Sequence, residues 1–293
     1  MRFAACLLLA LSAVALPGAT LGADDAYVAQ IGKWRQDFET DIRTGDWLTL
    51  VNRVELGRRP ATLGSEAKST VVLPPPAPKR LGIITREGPS FRFTPASGIE
   101  CSVDGAPVQG AVNLSTQRGT GRIQVGTVRV VVRSIGDEFF ALVSDSESPE
   151  IAKFSGVTWF EIDPGWRVTA RFVPYQQAQS VRVPMTHVSA KTVMSSTGDV
   201  VFDLAGQRLR LKTFIDEENL FIMFTDATNG RETYGGGRFI EAPLPKDGVT
   251  TLDFNKAFNP YCSLNRNIMC PLVPVQNRLP VPVVAGEKYA GAT

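Results

Sequence analysis

From Trp47 to Ser144 apolar and polar residues alternate with a period of two, and no other feature limits the possible folds so tightly. WLTLVNRVELG, STVVLP, LGIITRE, SFRFTP, IECSVDG and RIQVGTVRVVVRSIGDEFFALVS are short β-branched and aromatic runs, separated by glycine, proline or Asp-Gly. A strand of this pattern has one apolar face that must be covered, so turn signals about every 8–12 residues imply an antiparallel sandwich. Residues 103–108 (VDGAPV) and 133–140 (RSIGDEFF) read as hairpins, because Asp-Gly and Gly-Asp accept positive φ at small cost. The proline cluster at residues 73–79 (LPPPAPK) cannot donate to a ladder and reads as an edge or crossing loop.

Residues 145–155 form a polar connector, after which β-like runs resume at GVTWFEI, GWRVTARFVPY, SVRVPMTHVSA, DVVFDLAGQRLRLKTFI and NLFIMFTDAT. VFDLAGQRLRLKTF is a further hairpin with Ala205-Gly206 at its tip. Nothing repeats at a fixed period, which argues against a solenoid or propeller. Ahead of the strands, Val28, Ile31, Trp34, Phe38 and Ile42 recur at helical steps, and Asp24 or Asp25 is placed to cap the first turn. The expected fold is therefore mainly β. Two antiparallel sandwich or barrel-like units, residues 47–144 and 145–293, stand behind one N-terminal helix at 24–46 and share an interface.

Arg2 precedes an apolar run, Phe3 to Leu16, followed by Pro17 and the small residues GATLGA. This is the layout of a signal peptide over residues 1–23, cleaved after Gly22 or Ala23, and it predicts a periplasmic or secreted protein. The run falls short of the roughly 20 apolar residues that span a bilayer, so no membrane span is expected. Loss of residues 1–23 removes Arg2 and no acid, taking the formal charge from +2 to +1. A near-neutral chain has no long-range field for nucleic acid or an anionic membrane surface. Cys101, Cys262 and Cys270 remain, an odd number that does not make a disulfide scaffold but permits one bridge and one buried thiol. The natural pair is Cys262 with Cys270, the alternative being two buried thiols, and Cys101 in IECSVDG is expected to be buried and unpaired. Each adjoins a rigid turn element, Asn259-Pro260 or Pro271, and the polar loop between them is short.

A Ser-His-Asp or Cys-His arrangement would have to use the single histidine, His187, and no G-x-S-x-G elbow is present. No paired CxxC groups suggest zinc, and GGGRF lacks the Lys-Ser of a phosphate loop, so no metal or cofactor is expected. Chemistry-bearing residues concentrate between Phe221 and Glu287. Asp226 follows the apolar strand NLFIMFT, Arg231 and Arg238 flank Tyr234 and the glycines, and Asp253 and Asn255 lie two apart, on one face if that segment is a strand. With Asn259 and Glu287 they form a candidate pocket for a small polar ligand or an envelope component, in which an arginine fork takes an anionic group. The same residues can be architectural, with Asp226 and Asn255 as Asx-turns and Arg238 bridged to Asp226 or Glu287. A third possibility uses Asp226, Asp253 and Glu287 as acid and base of a glycan or ester hydrolase.

These motifs resemble the family catalogued as domain of unknown function 1684. The resemblance rests on Trp34, the Trp47-Leu48 and Leu50 segment, Leu81-Gly82, and Phe154, Gly156 and Phe160. It continues through Phe224, Asp226, Thr228, Gly230, Thr233, Tyr234, Gly237 and Arg238, then Asp253-Phe254-Asn255, Ala257, Asn259-Pro260 and Cys262. Cys270-Pro271, Asn277 and Ala285-Gly286-Glu287-Lys288 complete it, so that it runs over nearly the whole chain after residue 23. The family implies no activity. In shape alone, the first unit resembles forkhead-associated phosphopeptide domains, although TLGSE (residues 62–66) supplies their serine without their arginine.

Overall fold

A computed structural model describes residues 22–187 and 191–289. The expected leader at 1–23 lies outside these residues, except for Gly22 and Ala23, which open the first helix. The protein is mainly β, as its alternation requires.

Among the described residues the strands form four sheets. The first half contributes a six-stranded sheet built around the hairpin Val128–Ile135 and Glu138–Asp145, edged by Leu50–Glu55. It also contributes a five-stranded sheet centred on Gly82–Glu87 and Ser90–Pro95. Their inner faces share one buried cluster, with Phe91 and Phe93 from one sheet against Val130, Val132, Ala141 and Val143 from the other. The Asp104-Gly105 turn takes φ of 50° and 83°, and the Gly136 turn 62°, as the hairpin reading required. Among the described residues the strands pair antiparallel apart from Ala61–Gly64 with Val71–Val72, which run parallel.

The second half holds a four-stranded sheet, in the order Gln207–Lys212, Lys191–Leu204, Arg167–Pro184, Val249–Asp253. A three-stranded sheet of Phe214–Asp216, Asn219–Phe224 and Arg238–Pro243 packs against it. GWRVTARFVPY and SVRVPMTHVSA are not separate strands. Arg167–Pro184 is continuous, and a shift of register between Pro174 and Gln179 absorbs the polar residues between the two runs. GVTWFEI forms no strand either, making only the isolated bridge from Trp159 to Glu287. Asn219–Phe224 is buried on both faces, which explains its unbroken apolar run. Leu220, Ile222 and Phe224 enter the core closed by Leu279, Val281 and Val283, while Phe221 and Met223 enter a second core with Phe239, Phe258 and Ile268.

Helix α1 spans Ala23–Thr44, with Gly22 at the N-cap instead of an aspartate. It buries Tyr27, Ile31 and Ile42, and Val28 is turned toward solvent. Trp34 and Phe38 join an aromatic cluster with Trp159, Phe258 and Tyr261, at ring separations of 5.3 to 6.1 Å. Arg35 donates to the carbonyls of Phe160 and Asn255, so α1 is fastened to the second half of the chain. The connector carries a short second helix, α2, Pro149–Lys153, capped by Ser148.

Candidate functional site

The strand Asn219–Phe224 ends in a polar turn whose centre is Asp226. Its Oδ1 accepts from Thr228 N at 2.8 Å, from Thr228 Oγ1 at 2.6 Å and from Val283 N at 3.2 Å. Its Oδ2 accepts from Arg238 Nη2 at 2.8 Å, and both side chains are 0% exposed. Arg238 also donates to the carbonyls of Val283 and Ala285 and lies 5.4 Å from the Phe224 ring. Burial pulls its pKa down and the Asp226 carboxylate opposes that pull. Its Nη donors are spent on Asp226 and on carbonyls, only Nε lacks a partner among the described residues, and no face of Arg238 is open to solvent. The pair is a clamp that fastens the C-terminal segment to the sheet. Gly237, at φ 94°, permits the approach, since a Cβ there would meet the Phe224 carbonyl at 2.6 Å.

The clamp delivers Glu287. Gly286, at φ 78°, turns the chain so closely over Ala257 that a Cβ would lie 2.4 Å from its carbonyl oxygen. Glu287 then accepts from Asn259 N at 2.7 Å through Oε2, and Asn259 Nδ2 donates to Lys288 O at 3.1 Å. Glu287 is 5% exposed, and burial pushes its carboxyl up from 4.5 to about 7, against the lowering influence of the Asn259 donors and of Arg238. It nevertheless lines a cleft of about 470 Å3, with Glu150, Lys153, Ser263, Lys288 and Tyr289 around it. Ser263 Oγ and Asn259 Oδ1 are buried polar atoms without a hydrogen-bond partner among the described residues.

Asp253 and Asn255 belong elsewhere. Asp253 ends a strand and caps the 3-10 turn Phe254–Lys256 through Asn255 N, so the two do not share a strand face. Asp253 accepts from Tyr27 at 2.8 Å, while Asn255 donates to Tyr27 and to Asp163 O and accepts from Asp163 N. This knot seats α1 and leaves Asn255 no free polar atom. Arg231 stands exposed on the Asp226 turn, away from the cleft. Tyr234 is half-buried, its ring 5.1 Å from Tyr289, and burial raises its hydroxyl pKa.

Cys262 and Cys270 are adjacent but stand as thiols, hydrogen-bonded to each other, with Cys262 N 3.4 Å from Cys270 Sγ. The shared proton lowers the pKa of Cys262 and raises that of Cys270. Cys101 is free, as expected, but half-buried instead of buried, and burial raises its pKa.

Of the predicted residues, Asp226 and Arg238 meet in the clamp, while Asn259 and Glu287 meet at the cleft. Ser263, Glu150 and Lys153 were not foreseen. Lys288 was visible only as the last residue of the AGEK motif. No group of three or more His, Cys, Asp or Glu suited to a metal occurs among the described residues.

Residues 152–288 match a family described as a protein of unknown function (DUF1684). The chain belongs to this family. The match covers the second half of the molecule, so Trp34, Trp47 and Leu81-Gly82 lie outside the region it spans, whereas the clamp and the Glu287 cleft lie almost wholly within it. A solved structure similar to this DUF1684 chain is the solution NMR structure of an uncharacterized protein from gene locus rrnAC0354 of Haloarcula marismortui. It is 34% identical, covers 50% of this chain and 83% of that one, and superposes with a TM-score of 0.42. No curated protein matches.

Proposed function

We propose that this protein is an exported, non-catalytic module that binds a small polar ligand in the cleft floored by Glu287. The observation that carries the reading is a buried carboxyl with a pKa near neutrality on the wall of an open cleft, with a buried hydroxyl, Ser263 Oγ, that bonds to nothing among the described residues. Buried polar atoms are nearly always paired, so an unpaired one on a residue that lines a cleft points to a partner from outside. A carboxyl that is half protonated at neutral pH both donates and accepts, as does a serine hydroxyl, which suits ligand hydroxyls. The Tyr289 and Phe154 side chains supply apolar faces, and Lys153 and Lys288 supply cations at the same cleft. A hydroxyl-rich ligand, free sugar or envelope glycan, with or without a carboxylate, fits that set. Export rests on the basic residue and apolar run of residues 2–16.

Hydrolysis of a glycan or ester is the second reading, favoured by the same carboxyl. A proton donor with pKa near the working pH is what general acid catalysis needs, and Glu150 brings a second carboxylate to the cleft. A thermal-shift screen against sugars, carboxylates and metals separates the readings when repeated on Glu287→Gln and Ser263→Ala. A ligand at a hundredfold its dissociation constant adds about 2.7 kcal/mol of stability. Binding predicts a raised midpoint that both substitutions reduce, without turnover. Hydrolysis predicts product release from aryl glycosides or esters that Glu287→Gln abolishes. An unchanged midpoint with every class of compound contradicts both.

A further inference from the structure

The outer face of the six-stranded sheet carries a second cleft, of about 340 Å3, that shares no residue with the Glu287 cleft. Strand alternation creates it. Along Val128–Ile135, Val128, Val130 and Val132 point into the core, so Arg129, Val131, Arg133 and Ile135 must face outward. The segment 267–269 covers this face and is held there by Arg53, whose Nη1 donates to Asn267 O at 3.0 Å. Arg118 and Arg122 close the rim.

The charges do not balance. Asp46 is bonded to Arg129, and Asp104 lies 3.6 Å from Arg122. Arg133 donates to the carbonyls of Val132 and Thr120, at 2.7 and 2.8 Å, which fixes its plane. Arg118 has no ion pair among the described residues. Four guanidinium groups thus meet two carboxylates around one small cavity. Crowding of like charges costs free energy that a bound anion returns. Burial lowers the pKa of Arg133, Asp104 opposes that shift, and Arg129 and Arg122 lower it further. The walls are apolar, formed by Val131, Ile135, Leu142, Ile268 and Met269. Planar donor forks above an apolar floor select a ligand with an anionic head and an apolar body.

We infer that this cleft binds a small organic anion through a carboxylate or phosphate head, with its hydrocarbon part against Val131, Leu142 and Met269. A soluble acid and the headgroup region of an anionic lipid offer the same chemistry, and the test separates them. Full-length processed protein is titrated calorimetrically with inorganic phosphate, hexanoate and hexyl phosphate, and sedimented with phosphatidylglycerol vesicles. The expected result is that hexyl phosphate or hexanoate binds more tightly than inorganic phosphate. Arg129→Gln should weaken binding by about tenfold or more, the loss of a charge-assisted hydrogen bond. Arg118→Gln should weaken it too, and because Arg118 is exposed this variant keeps the test valid if Arg129→Gln misfolds. Arg208→Gln, at an exposed position that lines neither cleft, should leave the affinity unchanged. Vesicle binding without binding of the soluble probes, lost in the two cleft variants, assigns the head to a lipid. Equal affinity for inorganic phosphate and hexyl phosphate, binding indifferent to both cleft variants, or no binding of any probe overturns the inference.

Discussion

Replacing Asp226 with alanine strands the Arg238 guanidinium, whose side chain is 0% exposed, beside the core closed by Leu279, Val281 and Val283. The same change removes the acceptor for Thr228 N, Thr228 Oγ1 and Val283 N. Breaking a buried ion pair by removing one partner costs roughly 3–5 kcal/mol, because the remaining charge is uncompensated. At roughly 2–4 °C per kcal/mol for a chain of this class, the midpoint of thermal unfolding should fall by roughly 6–20 °C. Arg238→Leu leaves Asp226 with its local donors and should cost less than Asp226→Ala. The double variant, with an apolar side chain in place of the ion pair, should lose clearly less than the sum of the two single changes. Urea and thermal unfolding of the four proteins measure this cycle. Single variants each within about 1 kcal/mol of the parent, with additive effects, would refute the clamp and return Arg238 to the list of ligand-binding residues.

The Glu287 carboxyl has a folded pKa of about 7 against 4.5 when unfolded, so the folded state binds the extra proton between these values. Its contribution is fully favourable below 4.5 and is lost as pH rises through about 7. The stability gap between Glu287→Gln and the parent should therefore shift in favour of the variant across that window, and a gap independent of pH would contradict the burial argument. Gly286→Ala should destabilise by about 1–3 kcal/mol, since φ is 78° and the added Cβ meets the Ala257 carbonyl; an unchanged midpoint in thermal unfolding would contradict it. In an oxidising compartment the adjacent Cys262 and Cys270 should join, and closing so short a loop adds roughly 2–3 kcal/mol. Alkylation of the denatured, non-reduced protein should then label Cys101 alone, and labelling of all three cysteines would show that the bridge does not form.

The sheets were readable from the chain because alternation and turn residues act locally. VDG, SIGD and LAGQ each specify a tight turn, and the five consecutive apolar residues Leu220 to Phe224 announce a buried strand. The GVTWFEI run failed for a physical reason. It alternates like a strand, but its backbone is used to bracket the AGEK segment, through Phe160 N to Gly286 O and the Trp159–Glu287 bridge. Tyr27 was overlooked as a core residue because the helical stripe could be drawn through Val28, and only the distant Asp253 and Asn255 decide between them. The choice between a ligand fork and a clamp for Arg238 was open in the sequence, since both need the same residues, and burial resolves it. The cleft could not be read at all as a unit. Its walls come from residue 48, the 150–158 stretch, residues 263–264 and the 287–289 segment, which are brought together only by the two cores.

The most direct measurement is an NMR titration of the Glu287 side-chain carboxyl carbon in the folded protein, with Glu287→Gln to assign the signal, alone and with a compound found in the thermal-shift screen. The binding account predicts a midpoint near 7 in the free protein and a displaced midpoint when the ligand is present. A midpoint at the ordinary glutamate value of about 4.3, unchanged by ligand, would mean that the carboxyl is neither buried nor part of a site.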